Sequence, residues 1–174
     1  ATRMSSLVGD LLLLARLDSG RPLEREEVDL TRLLLEAVTD ARVVAPEHRW
    51  RLALPDEPVV VTGDEHRLHQ VVTNLINNAR RHTPSGTTVT VGARPRGEPG
   101  EHVTVTVHDD GPGIPGDLVG HVFERFTRGD SSRTRVSGGA GLGLSLVQAI
   151  TEAHGGTAGV ETRQGSTTFT LSLP

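Results

Sequence analysis

Residues 64–84 read Asp64-Glu-His-Arg-Leu-His-Gln-Val-Val-Thr-Asn-Leu-Ile-Asn-Asn-Ala-Arg-Arg-His-Thr-Pro84. The pattern over about residues 64–82 is typical of one long amphipathic helix. On a helix that turns by about 100° per residue, one apolar face is predicted to lie in the core: Leu68, Val71, Val72, Leu75 and Ala79. The stripe beside it carries Asn74, Asn78, Arg81 and His82. Asparagine is a poor helix former, so this pair at the core boundary needs an explanation. It is either a polar rim or a carboxamide offered to a hard cation such as Mg²⁺, with Arg81 facing phosphate.

Outside this helix, the pattern alternates between helix and strand. Helices are predicted near residues 29–44 and 142–153, strands near 49–54, 59–61, 87–93 and 102–108, and a terminal hairpin over 156–162 and 166–173. A first helix is predicted over Met4–Leu17, with an apolar stripe that needs a partner: Met4, Leu7, Val8, Leu11, Leu14 and Ala15. A polar connector follows over residues 21–27. Residues 111–140 form a long glycine-rich stretch with a short helical piece near 117–126, and such stretches in compact domains are usually functional.

The composition excludes several classes of protein. The chain has 174 residues, of which 35% are hydrophobic, enough for one domain with a small appendage. Aromatic residues make up 2%, which predicts an aliphatic core. The lack of cysteine excludes disulfides and thiolate metal sites, and the longest apolar run, Leu11–Ala15, is far shorter than the roughly 20 residues that span a bilayer. A net charge of −4 without a basic stripe argues against nucleic acid as a partner.

A second motif follows the strand at 102–108 and reads His108-Asp109-Asp110-Gly-Pro-Gly113. By strand alternation, Asp109 has the parity of the valines before it and points inward, whereas Asp110 points outward. A buried carboxylate needs hydrogen-bond donors, or it costs several kcal/mol. The exocyclic amine of adenine would be one donor; an ordinary Asp-Gly turn is the other interpretation. A calcium loop is less suitable, because the alternating ladder of carboxylates is absent.

A third motif, Gly138-Gly-Ala-Gly141-Leu142-Gly143, precedes the helix near residue 142. Alternating glycines expose successive backbone N–H groups, and a helix N-terminus adds partial positive charge. A glycine loop that leads into a helix is therefore suited to binding phosphates. The spacing is not that of the dinucleotide-binding fingerprint, and no Walker loop is possible because the chain contains no lysine. His66 and His69 are predicted to be surface residues rather than metal ligands.

Taken together, the three motifs and the intervening Phe123-Glu-Arg-Phe126-Thr-Arg128 resemble, in order and spacing, the sensor histidine kinases of two-component systems. These kinases belong to a wider ATPase group with DNA gyrase and the heat-shock chaperone ATPases. The resemblance implies an α/β fold, a two-layer sandwich with a mixed, largely antiparallel sheet and helices on one face. It implies that residues 1–19 are a remnant of the second helix of the dimerisation hairpin and 20–27 a linker. Residues 28–174 would be the catalytic domain, with an ATP lid at about 112–140.

The resemblance also implies roles for single residues. Asn78 matches the family's magnesium ligand, one turn after Asn74, and Arg81 matches a basic residue that reaches the phosphates. His82 stands where a tyrosine commonly stacks near the base, Asp109 matches the carboxylate that binds the adenine amine, and Thr167 matches a nearby hydroxyl. The remaining matches are a lid arginine, Arg128, and the glycine-loop positions Gly111, Gly113, Gly139, Gly141, Leu142 and Gly143.

The function implied is transfer of the terminal phosphate of Mg-ATP to a histidine on a dimerisation helix, and then to a response regulator. The accepting histidine has no match in these residues, so the chain alone is expected not to phosphorylate itself, and no catalytic residue is assigned. Implied partners are ATP, the protein's own dimerisation domain in a homodimer and a response regulator, in a cytoplasmic module of a membrane-anchored sensor. The alternatives are an ATP hydrolase or a serine kinase of the same group, or a nucleotide-free module. Hydrolases carry a glutamate where this chain has Asn74.

Overall fold

The computed structural model describes residues 2–127 and 141–174. The helices are α1 (Thr2–Asp18), α2 (Leu30–Val44), α3 (Glu65–His82), α4 (Gly116–Val119) and α5 (Gly143–Ala153). The strands are β1 (Glu26–Asp29), β2 (Arg49–Ala53), β3 (Val60–Gly63), β4 (Thr88–Arg94), β5 (Val103–Asp109), β6 (Thr157–Arg163) and β7 (Ser166–Leu173). The long predicted helices and strands are therefore confirmed, with boundaries that shift by one or two residues.

Five strands form the main sheet in the order β2-β4-β5-β7-β6. The β2–β4 pair is parallel, and the other three pairs are antiparallel, so the predicted mixed, largely antiparallel sheet is confirmed. In β5 and β7, alternate side chains are buried, as expected where one face of a sheet packs on helices. The register places Asp109 of β5 opposite Thr167 of β7 and Val89 of β4.

The helical layer lies on the buried face of this sheet. The apolar face predicted for α3 is buried, and the equivalent faces of α2 and α5 join it in one aliphatic core with the inward valines and leucines of the strands. The opposite face of the sheet carries half-buried hydroxyl side chains such as Thr90, Thr106 and Thr170. The predicted two-layer sandwich is thus confirmed.

Two local predictions were wrong. The end of the connector predicted over 21–27 is the start of β1, which pairs with β3 and places buried Val28 opposite buried Val61. A four-residue strand with a single apolar side chain has too little alternation to be recognised. The helical piece predicted near 117–126 is only the single turn of α4, which ends before Gly120.

The helix α1 packs on the rest of the chain through only part of the predicted apolar stripe. Leu13 and Leu14 are buried, with Leu7 and Leu17 packed beside them, and α1 contacts α5. Of the predicted stripe, Met4, Val8, Leu11 and Ala15 are exposed instead. Four consecutive leucines, 11–14, offer apolar side chains in every direction, so periodicity alone does not select the packed face. Among the described residues, no helix is both long and apolar enough to cross a membrane.

Candidate nucleotide-binding site

The helix α3 is anchored at its N-terminus before its polar stripe begins. The Asp64 carboxylate caps the helix by accepting a hydrogen bond from Arg67 N at 3.0 Å, and Asp64 N donates to His154 Nε2 at 3.0 Å. With its apolar face in the core, α3 presents Asn74 and Asn78 half-buried at the core boundary. Asn74 Nδ2 donates to Gly143 O at 3.3 Å, so the stripe faces the start of α5.

Asp109 ends β5 as a buried carboxylate. It is 6% exposed, and its Oδ1 accepts a hydrogen bond from Gly111 N at 3.0 Å. Burial raises the pKa of this carboxyl, and the Gly111 hydrogen bond offsets only part of the effect. Asp110 points outward as predicted, where its Oδ1 accepts from Thr88 N at 2.7 Å and secures the start of β4. The two adjacent carboxylates therefore have different functions, one buried in the site and one holding strands together.

A pair of threonines from the β6–β7 hairpin completes this side of the site. Thr167 is 3% exposed, and its hydroxyl oxygen lies 2.9 Å from Thr162 Oγ1. Ile114 N donates to Thr162 Oγ1 at 2.9 Å, which ties the loop after Asp109 to β6. Gly113 has φ +87, and a Cβ there would lie 2.6 Å from Arg163 O, so a larger side chain would not fit. Thr162 was not predicted from the sequence, although its inward parity in β6 matches that of Thr167.

The second glycine loop is described from Gly141 onward. Phe126 N donates to Gly141 O at 2.9 Å, and a Cβ at Gly141, where φ is +72, would lie 2.9 Å from Phe126 Cα. Leu142 is buried and precedes the first turn of α5, which has no side-chain cap. Uncapped N–H groups at a helix start favour an anion. Arg128 and Gly139 lie outside the described residues, as does the second part of the predicted lid, residues 128–140.

The last turn of α3 carries Arg81 and His82, both exposed. Partial desolvation, and then the charge of Arg81, lower the pKa of the His82 imidazole, although its exposure limits the effect. The next residue, Thr83, lies against Gly111, because a Cβ on Gly111 would come within 2.7 Å of Thr83 Cγ2. The end of α3 is therefore adjacent to the Asp109 loop, and the start of α5 is adjacent to Asn74.

The side chains near the start of α5 and along the α3 stripe suit a hard, oxygen-binding metal ion. No group of three or more His, Asp or Glu side chains that could hold a metal exists within residues 2–127 and 141–174. His66 is exposed and His69 is half-buried. Those histidines line a groove between α1 and α3 instead. A carboxamide oxygen such as that of Asn78 suits Mg²⁺, which keeps most of its waters and is commonly carried by phosphates with one or two protein ligands.

Comparison with known proteins identifies the family to which the chain is similar. The family model of histidine kinase-, DNA gyrase B-, and HSP90-like ATPases matches residues 63–174. The probable sensor histidine kinase TcrY of Mycobacterium tuberculosis (strain ATCC 25618 / H37Rv) is 57% identical over 174 residues, which are 99% of this chain and 36% of TcrY. The chain thus spans about a third of the length of the curated relatives it matches.

Two solved structures extend the comparison. The mycobacterial sensor histidine kinase MprB is 30% identical, with a TM-score of 0.74 over 86% of this chain and 97% of that chain. Full-length ShkA in complex with AMPPNP is 30% identical, with a TM-score of 0.81 over 99% of this chain and 36% of that chain. The family match, which covers more than half of the residues, and these likenesses lead to one conclusion. The chain belongs to the histidine kinase-, DNA gyrase B- and HSP90-like ATPases, as the ATP-binding catalytic domain of a sensor histidine kinase.

Proposed function

We propose that this chain binds ATP together with Mg²⁺ and presents the terminal phosphate to a histidine on the protein's dimerisation helix. The phosphoryl group would then pass to a response regulator. The observation that carries the proposal is the convergence of three groups at one edge of the fold. These are the buried carboxylate of Asp109, the asparagine stripe of α3 and the uncapped start of α5.

The base would bind at the Asp109 end of the site. An ionised carboxylate accepts hydrogen bonds, and the exocyclic amine of adenine donates them, whereas guanine has a carbonyl oxygen at that position. Asp109 Oδ1 already accepts from Gly111 N, so the carboxylate is held in place before a nucleotide arrives. Thr167 lies opposite Asp109 in the register and supplies a hydroxyl beside it.

The phosphates would bind between α3 and the start of α5. Asn78 is the proposed Mg²⁺ ligand, with Arg81 reaching the phosphates from the last turn of α3 and the N–H groups after Gly141 facing them. Asn74 would support this arrangement rather than bind the metal, since its amide already donates to Gly143 O. Arg128 and Gly139 remain predicted contacts outside the described residues.

The proposed reaction is an in-line phosphoryl transfer. An imidazole nitrogen of the accepting histidine forms the new bond to the γ-phosphorus as the bond to the bridging oxygen breaks, and ADP leaves. The chain's residues supply position and charge neutralisation. Hydrolysis is disfavoured because the position one turn before Asn78 carries the carboxamide of Asn74, which cannot act as a general base for water.

The proposed domain arrangement assigns residues 1–19 to the second helix of a dimerisation hairpin, 20–27 to a linker and 28–174 to the catalytic domain. Met4 and Val8 are 74% and 54% exposed on α1, an apolar surface that such a hairpin would cover. The helix also contacts the catalytic domain, since Arg125 Nη2 lies 2.6 Å from Asp18 Oδ2. We further propose a homodimer and a membrane-anchored whole protein.

Replacement of Asn78 by alanine tests the metal assignment. Isothermal titration calorimetry of the wild-type chain should show ATP binding that Mg²⁺ strengthens, because the carboxamide oxygen ligates the ion. Asn78→Ala should lose that magnesium-dependent gain, weakening Mg-ATP affinity by about tenfold. The matched control is Asn77→Ala, one residue away and off the proposed stripe, which should retain the gain. Equal magnesium dependence in both variants would contradict the assignment.

A further inference from the structure

His48 is a buried histidine, 6% exposed, in the turn between α2 and β2. Its Nε2 lies 3.0 Å from Thr83 Oγ1, and the Thr83 hydroxyl donates its hydrogen to Ala79 O at 2.7 Å. A hydroxyl has one hydrogen, so His48 Nε2–H must be the donor to Thr83. Two hydrogen bonds therefore fix the Thr83 hydroxyl: it donates to Ala79 O in α3 and accepts from His48 Nε2–H in the turn before β2.

Thr83 is in direct contact with the proposed adenine site. It follows the last residue of α3, and its Cγ2 and Cβ lie 2.7 Å and 3.2 Å from where a Cβ on Gly111 would be. Gly111 N in turn holds the Asp109 carboxylate. The side-chain conformation of Thr83 therefore determines the surface on which Gly111 packs. Gly111 in turn positions the Asp109 carboxylate.

His48 is itself held rigidly. Its ring lies against Trp50, with centroids 5.8 Å apart, and Trp50 Nε1 donates to Ala45 O at 2.9 Å. The adjacent backbone is tied to the turn after Thr83, because Gly86 N donates to Glu47 O at 2.8 Å. The imidazole is therefore held with its Nε2–H directed at Thr83 Oγ1.

The other nitrogen of His48 shows that packing alone does not explain the residue. Nδ1 is buried without a hydrogen-bond partner among the described residues, and Glu47 Oε1 lies 3.4 Å from it. An unpaired buried nitrogen costs free energy that an apolar side chain would avoid. An apolar side chain would, however, lack the N–H that orients Thr83.

We propose that His48 is a positioning residue for the adenine end of the site, acting through Thr83 on Gly111 and Asp109. It does not touch the nucleotide. The inference rests on the proposed function of Asp109 as the acceptor of the adenine amine, and it assigns a role to a residue that lies outside the asparagine and glycine motifs.

The test compares two replacements of His48 against two ligands, at a temperature well below unfolding. His48→Leu removes the donor, whereas His48→Gln places an amide N–H near the position of Nε2. We expect His48→Leu to raise the Kd for Mg-ATP about fivefold. The Kd for magnesium tripolyphosphate, which has no base, should stay unchanged. His48→Gln should recover Mg-ATP affinity to within about twofold of the wild type.

A Thr83→Val variant keeps the packing against Gly111 and removes the hydroxyl, so it should weaken the binding of Mg-ATP as His48→Leu does. The double variant should lose no more Mg-ATP affinity than either single variant. If His48→Leu does not fold, Thr83→Val decides alone, and wild-type affinity in that variant overturns the inference. Equal losses for ATP and tripolyphosphate, or unchanged ATP affinity in His48→Leu, also overturn it. A wild-type chain that fails to bind Mg-ATP would contradict the proposed function itself, a separate result.

Discussion

Burial of Asp109 affects stability and binding in opposite directions. A carboxyl whose pKa is raised on folding binds its proton more tightly in the folded chain than in the unfolded chain. Stability therefore falls as the pH rises from the unfolded-state pKa through the higher folded-state pKa, and the deficit is complete above the folded-state pKa. The buried charge of Asp109 therefore makes the empty site less stable than a neutral side chain would. A bound amine donor would offset this cost.

The replacement Asp109→Asn tests this balance. The amide oxygen can still accept from Gly111 N, and the buried charge is gone, so the melting temperature at pH 7 without nucleotide should rise by about 2–4 °C. The gain should shrink as the pH is lowered to 4, because more of the wild-type carboxyl is then protonated. Circular dichroism melts at both pH values measure the difference. The control Asp110→Asn, at an exposed carboxylate, should show no gain; a gain for Asp109→Asn that grows in acid would contradict the account.

For single residues, the sequence correctly predicted burial where a local rule such as strand alternation applies. Strand alternation correctly predicted Asp109 as buried and Asp110 as exposed. It could not identify His48, because the contact with Thr83 joins residues 35 positions apart. Thr162 was missed for a similar reason, since its contact with Ile114 spans 48 positions. Neither contact leaves a periodic pattern in the chain.

Between elements, one buried side chain joins α5 to the start of α3. His154 is 5% exposed, its Nδ1–H donates to Ile150 O at 2.7 Å, and its Nε2 accepts from Asp64 N. Both ring nitrogens are therefore paired, and the imidazole is held in one neutral tautomer. The contact with Gly63 is close, because a Cβ there would lie 2.7 Å from His154 Cδ2.

Loss of this imidazole should be costly. His154→Leu leaves the buried Asp64 N–H without an acceptor, and the free energy of unfolding should fall by about 2–3 kcal/mol. Urea unfolding followed by circular dichroism measures this as a lower midpoint. His102→Leu, at an exposed histidine, is the control and should change stability by less than about 0.5 kcal/mol. Equal midpoints for the two variants would mean that His154 does not join the elements as described.

The elements themselves were predictable in proportion to their length and periodicity. Helix α3 combines 18 residues with a clean apolar face, and the predicted helix and its buried face are confirmed. Strand β1 has four residues and takes its conformation from pairing with β3, a partner some 35 positions away that local pattern cannot supply. The packed face of α1 depends on its contact with α5, which likewise lies beyond any local window.

At the scale of the whole molecule, the proposed function depends on three segments that are distant in the chain and meet at one edge. The end of β5, the polar stripe of α3 and the start of α5 are brought together because α3 and α5 pack side by side on the same face of the sheet. The order and spacing of the motifs predicted this family, and the family comparison confirmed it. The contacts that hold the segments in place were not predictable, since they depend on tertiary packing.

The most direct test of the central claim, that this edge binds ATP through Asp109, is a calorimetric titration with Mg-ATP and Mg-GTP. The wild-type chain should bind ATP at one site and prefer it over GTP, because adenine has an amine donor at the ring position where guanine has a carbonyl oxygen. Asp109→Asn should lose about tenfold in ATP affinity and most of the preference, whereas the control Asp110→Asn should keep both. Wild-type discrimination between ATP and GTP in the Asp109→Asn variant would contradict the claim.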